Sequence, residues 1–256
     1  MTEAVFINFW WSLLLIFARI AALIITVPFF AWRGIPVMPR IFLAFVLSVM
    51  LALSNNGEVV IPATDIELIF LLVRELLTGL VLGFLVYLFF SVFLMAGQFM
   101  DHKAGLMMAG SFDPLFGSQV TLLGQFFYFL GVVFYLTIDG HHMLFLALKE
   151  SFTAVPLAGP MLSTPTAWYY IKIFPSLFLI AFQIAAPIII VLWLTDLALG
   201  FLSRVVPQIH VFIVGLPLKI ALVLLIFLLL LPQVGVLLRD FFELLEKDLL
   251  LIMENW

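Results

Sequence analysis

Four histidines and no cysteine bound the chemistry this chain can offer. Asp139-Gly140-His141-His142 sets a carboxylate beside two imidazoles, donor types that suit Zn²⁺. Adjacent histidines project differently, however, and no further His, Glu or Asp follows at helical spacing, so the group reads as a polar cap at a helix end. The absence of Cys removes disulfides, thiolate catalysis and Cys-ligated metals. Serines such as Ser111 and Ser151 lack a plausible base and orienting acid, which leaves covalent catalysis unsupported. No G-x-x-x-x-G-K-[ST] string is present, so nucleotide hydrolysis would have to act through another protein. The expectation is a non-enzyme with neither cofactor nor metal.

The remaining candidates are charges placed where charge is costly. Arg19, Arg74, Glu75, Asp196 and Lys219 lie in or against apolar segments, where an ionised group at a helix centre costs about 2.5–3.5 kcal/mol on insertion scales. Each needs a partner. Arg74 and Glu75 are consecutive and cannot face each other on one helix, so each must be met from elsewhere, within this chain or on another subunit. Together with Asp101, Arg204 and Gln208 they form the set of expected inter-helix or inter-subunit polar contacts. Asp196 and Arg204 are expected to make contacts within an assembly. A secondary transporter would use Arg19, Asp196 and Lys219 differently, as the lining of a midplane solute site. No internal repeat supports that rival.

The elements that hold these residues follow from composition. Of 256 residues 66% are hydrophobic and 10% charged, with mean hydropathy +1.30, far from the usage of soluble domains. The net charge of −4 is thinly spread, and no basic run favours nucleic acid. The expected fold is an all-α integral membrane protein with about six apolar helices of about 20 residues, in a single membrane-embedded domain over 1–256. Segments are expected at 4–27, 41–53, 66–100, 120–138, 173–194 and 205–231. An interfacial turn is expected at 31–40, an irregular stretch after His142, and kinks or breaks at Pro175, Pro187 and Pro217. Residues 239–256 alternate charge with apolar pairs and read as a terminal amphipathic helix. Met1-Thr2-Glu3 lacks a basic start, so the first segment reads as a retained helix. Gly79-Leu80-Val81-Leu82-Gly83 is a G-x-x-x-G match that lets another helix approach closely.

Residues 105–117 stand apart. Gly105, Leu106, Met107, Met108, Phe112, Asp113, Pro114, Leu115, Phe116 and Gly117 are too apolar for a solvated loop and too broken for a spanning helix. Apolar constrictions close pores by dewetting, and methionine moulds around varied side chains. The segment therefore reads either as a pore plug or as a re-entrant turn packed inside the subunit.

Several strings together resemble the FliR family of flagellar export-gate proteins and its counterparts in virulence-associated type III secretion. Glu75-Leu76-Leu77-Thr78-Gly79-Leu80-Val81-Leu82-Gly83-Phe84 is similar to that family's E-L-L-x-G-x-x-x-G-F helix. Ala96-Gly97-Gln98-Phe99-Met100-Asp101 with Gly105, Met108-Ala109 and Asp113-Pro114 resembles its central motif. Gly140-His141-His142 with Ser151-Phe152 and Pro156, and the stretch from Leu194 to Gln208 with Val211-Phe212, Gly215, Pro217 and Lys219, complete the likeness. Lys103 stands where the family usually has Gln, Asp139 where Asn is common, and Val37-Met38 where basic residues are frequent. The resemblance implies kinked helical hairpins in an assembly with FliP and FliQ, and with FlhB and the basal body nearby, in the bacterial inner membrane. It also implies that unfolded export substrates pass through, that 105–117 is a plug loop, and that an ATPase and the proton-motive force supply the energy. Membrane lipid is the remaining expected contact.

Overall fold

The computed structural model describes residues 2–32, 34–54, 64–107, 121–157, 159, 164–206 and 211–254. Seven helices and no strand are found among them: α1 (Thr2–Thr26), α2 (Val37–Ser54), α3 (Asp65–Ala104), α4 (Leu122–Thr137), α5 (Gly140–Ala154), α6 (Thr164–Val205) and α7 (Val211–Glu254). The fold is all-α. Helices α1, α2, α3, α6 and α7 are each long and apolar enough to cross a membrane, and α4 with α5 passes the same test as a pair. The expected count of about six is met in that sense.

Several boundaries differ from expectation, each for a local reason. Helix α2 begins at Val37, so residues 37–40 are helical rather than part of the turn. Pro39 is tolerated there because first-turn N–H groups have no intrahelical partner. The turn itself is held by Arg40, whose Nη2 donates to the carbonyls of Trp32 (2.5 Å) and Ile35 (2.6 Å). The stretch after His142, expected to be irregular, is helix α5. Lys149 and Glu150 merely face outward, while Gly140, Leu144, Leu148 and Ser151 make one buried stripe at helical spacing.

Helix α3 runs for 40 residues through Arg74-Glu75. Its start carries Thr64-Asp65-Ile66-Glu67, a capping-box string in which the Glu67 N–H donates to the Thr64 hydroxyl at 3.3 Å. Its end is a Schellman-type stop: Gly105 takes φ +79°, and Leu106 N–H donates to the Asp101 carbonyl at 3.1 Å.

The prolines do not break their helices. Helix α6 continues for 42 residues through Pro175 and Pro187, and α7 for 44 residues through Pro217 and Pro232. A proline deletes one backbone bond, and in apolar surroundings no water competes for the bonds on either side. Residues 239–254 continue α7 directly, with Leu238, Phe241, Phe242, Leu245, Leu249 and Ile252 buried along it.

The chain groups into two compact units. One comprises Met1–Phe89, Asp139–Ile173 and Glu243–Trp256; the other comprises Phe90–Ile138 and Phe174–Phe242. In the first, α1 and α2 pack together, and α1 lies directly on α3. A Cβ at Gly79 would run into the Arg19 carbonyl oxygen and the Ala22 side chain, and one at Gly83 would meet Thr26 and Leu23. The G-x-x-x-G string thus marks the face on which α1 sits. In the second, Gly97 and Gly124 let α3 and α4 touch backbone to backbone. Beside that contact Phe93 meets Phe241 at 5.2 Å and Tyr135 meets Phe242 at 4.8 Å between ring centroids.

Gly79→Ala is therefore expected to destabilise by about 1–3 kcal/mol, the cost of overpacking, because backbone cannot yield as a side-chain tip does. Gly200→Ala, where an added Cβ meets nothing within 4 Å, is expected to be neutral or slightly stabilising. Apparent melting temperatures in detergent compare the two; equal melting would refute the close-packing account.

Candidate functional site

The most constrained polar centre is built around Arg19. This residue points from α1 into the interior and is 0% exposed, with Glu75 at 2%. Its Nε donates to Glu75 Oε2 at 2.6 Å, Nη1 to the Ser151 carbonyl at 2.9 Å, and Nη2 to the Val155 carbonyl at 2.9 Å. A longer contact of 3.3 Å joins Nη1 to the Ser151 hydroxyl, and the guanidinium lies 4.2 Å from the Phe152 ring centroid. Two of these acceptors are carbonyls at the C-terminal end of α5, where the helix dipole favours a cation. Arg19 therefore caps α5 while neutralising Glu75. Arg74, one residue earlier, is half-buried, and its Nε has no partner among the described residues.

Asp101 does a related task in the other unit. It is 0% exposed, and its carboxylate accepts from the N–H groups of Leu123 (3.1 Å) and Gly124 (3.3 Å). Thr121, at the N-cap of α4, makes no side-chain cap bond, so the cap comes from α3. An anion at a helix N-terminus satisfies both orphan donors and dipole.

Asp196 pairs with Lys219 and, at 3.7 Å, with Lys103. Lys103 also lies 5.1 Å from the Trp193 ring centroid, a cation–π distance. Arg204 is exposed. Gln208 lies outside the described residues. So do Met108, Phe112, Asp113, Pro114, Leu115, Phe116 and Gly117 of the expected plug; Gly105, Leu106 and Met107 are described, at the end of α3.

The turn at Asp139 brings together what the sequence reading held apart. Asp139 adopts φ 58°, and ligand-type atoms of Asp139, His141 and His142 lie within 4.8 Å of one another. Asp139 Oδ1 is 3.4 Å from His142 Nδ1, both side chains being largely solvent-exposed. The φ > 0 conformation that gathers them leaves no trace in residue spacing. Two further contacts escaped sequence reasoning: Tyr169 donates to Asp248 and Tyr170 to the Val81 carbonyl, each at 2.5 Å. The available signal was a Tyr pair opening a long helix in a chain with five tyrosines.

None of these groupings sets a nucleophile against a base. The buried ones are ion pairs, helix caps and tyrosine hydrogen bonds, arrangements that fix helices in place. Arg19→Met should remove the guanidinium's contacts with Glu75, Ser151 and Val155 and take the cation from the buried Glu75 carboxylate, costing about 3–5 kcal/mol. Glu75→Gln keeps an acceptor for Arg19 Nε and should cost less. In a double-mutant cycle read by detergent unfolding, the pair Arg19→Met with Glu75→Met should be less damaging than the sum of the singles; strict additivity would show that the two side chains do not act together.

A profile for the family "Bacterial export proteins, family 1" matches residues 10–245. The chain is 37% identical over 238 residues to "Flagellar biosynthetic protein FliR" of Bacillus subtilis, covering 91% of both proteins. It is 30% identical over 217 residues to the Escherichia coli protein of the same name, covering 83% of this chain and 79% of that one. It is also 31% identical over 208 residues to "Surface presentation of antigens protein SpaR" of Shigella flexneri, covering 80% of this chain and 78% of that protein.

Proposed function

This chain belongs to the FliR family of bacterial export proteins, and on that premise we propose that it is a structural channel subunit of the flagellar type III export gate. The observation that carries the reading is likeness along 91% of both chains to a flagellar FliR, in a molecule whose described polar groups cap and pair helices. Its place is the bacterial inner membrane at the flagellar basal body. Its partners are FliP and FliQ, with FlhB beside them, and its cargo is unfolded export substrate. The likeness to SpaR favours the homologous virulence subunit as the second reading, with the same physical role.

Helix length supports a subunit designed to be enclosed by others. Helices α3, α6 and α7 hold 40, 42 and 44 residues, about 60 Å or more at 1.5 Å per residue. The hydrocarbon core is about 30 Å thick. Much of each helix must then lie beyond the lipid, and the apolar side chains exposed there need protein cover. Within this reading Gly105–Gly117 seals the idle channel. The hinge would be Gly105, whose positive φ ends α3.

Co-expressed with FliP and FliQ, the chain is expected to purify as one complex, whereas alone it should be polydisperse. Deleting residues 106–116 should leave that complex intact and make cells permeable to small solutes and salt. An assembled deletion complex as tight as its parent would remove the sealing role. Asp196→Asn should weaken assembly in pull-downs because Lys219 and Lys103 lose their shared carboxylate, with no change in the pH profile of export. A shifted profile in an intact complex would point to a proton relay instead.

A further inference from the structure

Among the described residues one group sets three metal-ligand side chains within reach of one another: Asp139, His141 and His142, at the start of α5. All three belong to the unit that includes Asp139–Ile173. The arrangement has a local cause. Asp139 is the N-cap of α5, and its left-handed backbone (φ 58°, ψ 25°) turns the chain into the helix. The side chains of an N-cap residue and of the third helical residue lie on the same side, the geometry that a capping box exploits. Asp139 thus meets His142, with Oδ1 3.4 Å from Nδ1. His141 lies one position earlier, its ring centroid 4.3 Å from that of His142 and the two planes tilted by 33°. Helical spacing finds no third ligand after His142; the third ligand precedes the helix, at its cap.

The donors are free for such a task. The Asp139 carboxylate makes no cap bond to the N–H groups of α5, the usual duty of an N-cap aspartate. Nδ1 of His141 has no hydrogen-bond partner among the described residues, so no bond from that nitrogen fixes the tautomer of the ring. The 3.4 Å between Asp139 and His142 is long for a hydrogen bond. Their side chains are 73% and 68% exposed, and an ion reaches them from water without crossing packed side chains. Tetrahedral Zn²⁺ bonds of about 2.0–2.1 Å set ligand atoms about 3.3 Å apart. Ligand atoms already within 4.8 Å of one another close to that spacing by small side-chain rotations. Two imidazoles and a carboxylate are a donor set of zinc sites that keep a fourth position for water, whereas Mg²⁺ and Ca²⁺ need oxygen ligands. The dipole at a helix N-terminus disfavours a cation, and the carboxylate within the group offsets it.

We propose that Asp139, His141 and His142 bind a divalent transition-metal ion, Zn²⁺ before others, with water completing its coordination. Bound there, the ion ties down the first turn of α5 while Arg19 holds carbonyls at the other end of the same helix. The proposal does not depend on the export-gate reading.

The test uses the full-length chain in detergent with the subunits that co-purify with it, free of any polyhistidine tag and stripped of metal by EDTA. Zn²⁺ is titrated by calorimetry, and Co²⁺ serves as a spectroscopic probe whose visible bands report its ligands. One Zn²⁺ per copy of this chain is expected beyond what a triple variant of the three ligands binds, and Mg²⁺ or Ca²⁺ at equal concentration should not displace it. Asp139→Asn, His141→Gln and His142→Gln should each weaken binding by at least about 10- to 100-fold, the loss that follows even from altering a ligand's own hydrogen-bond partner. Asn accepts the left-handed conformation, so Asp139→Asn removes the charge and keeps the turn. His102→Gln, at an exposed position near the end of α3, should change nothing. Added Zn²⁺ should raise the melting temperature of the parent in a concentration-dependent way and leave that of the triple variant unmoved. Absence of saturable binding beyond that of the triple variant, or binding undiminished in any one of the three single variants, overturns the proposal. So does an equal loss in His102→Gln, which would assign the ion to another site.

Discussion

A guanidinium cannot shed its charge, and in a chain with 66% hydrophobic residues it has few places to go. Arg19 meets that constraint by drawing three helices onto itself. Its own helix α1 supplies the cation, α3 supplies Glu75, and the end of α5 supplies the carbonyls of Ser151 and Val155. Such a centre contributes little net stability over an apolar equivalent, since desolvation offsets the Coulomb attraction. What it contributes is uniqueness: a one-residue slide of α1 would bury a cation against methyl groups. The approach of α1 to α3 is possible only because Gly79 faces the backbone carbonyl of Arg19 itself. Ion pair and glycine contact are therefore one device seen from two sides.

The unit formed by Phe90–Ile138 and Phe174–Phe242 is organised by the opposite charge. Buried Asp101 has no cation beside it in the described contacts and is satisfied by the N–H groups that open α4. The two units thus use complementary answers to the same problem, a cation at a helix C-terminus and an anion at a helix N-terminus. In both, the helix end receives from another element the cap its own residues do not supply. Asp196 differs, because its partners are half-exposed lysines and its surroundings are more open.

The long apolar helices were legible in the sequence, because runs of apolar residues at membrane length have few alternatives, whereas the shorter helix α5 was not. The residues that would need partners were legible as well, since a charge inside such a run must be met. Which partner each would take was not. Arg19 and Glu75 are 56 positions apart and Arg19 and Val155 are 136 apart, and spacing carries no signal over such distances. Asp196 illustrates the limit: it was expected to need a contact, and nothing in the spacing singled out Lys219 and Lys103 as the cations that reach it. Helix continuity was also misjudged. Prolines at 175, 187 and 217 carry the breaking signal they would have in water, but a helix in an apolar setting loses one bond and keeps its neighbours. Lys149-Glu150 read as a polar interruption because a charged pair is visible in sequence while the buried stripe on the reverse of α5 is not.

The same physics bears on why a membrane subunit would carry helices of this length with so little of them covered. The most apolar stretches of α7 and α6 are largely uncovered, whereas that of α3 is mostly buried. For a monomer resting in lipid, an exposed apolar helix is no liability, but lipid reaches only about 30 Å of each. The remaining apolar length faces water unless protein takes its place, and that cost grows with every turn. An assembly removes it by laying helices of neighbouring subunits along the uncovered faces. On the proposed export-gate reading, helices of this length would suit a subunit whose apolar faces are covered by lipid over part of their length and by protein over the rest.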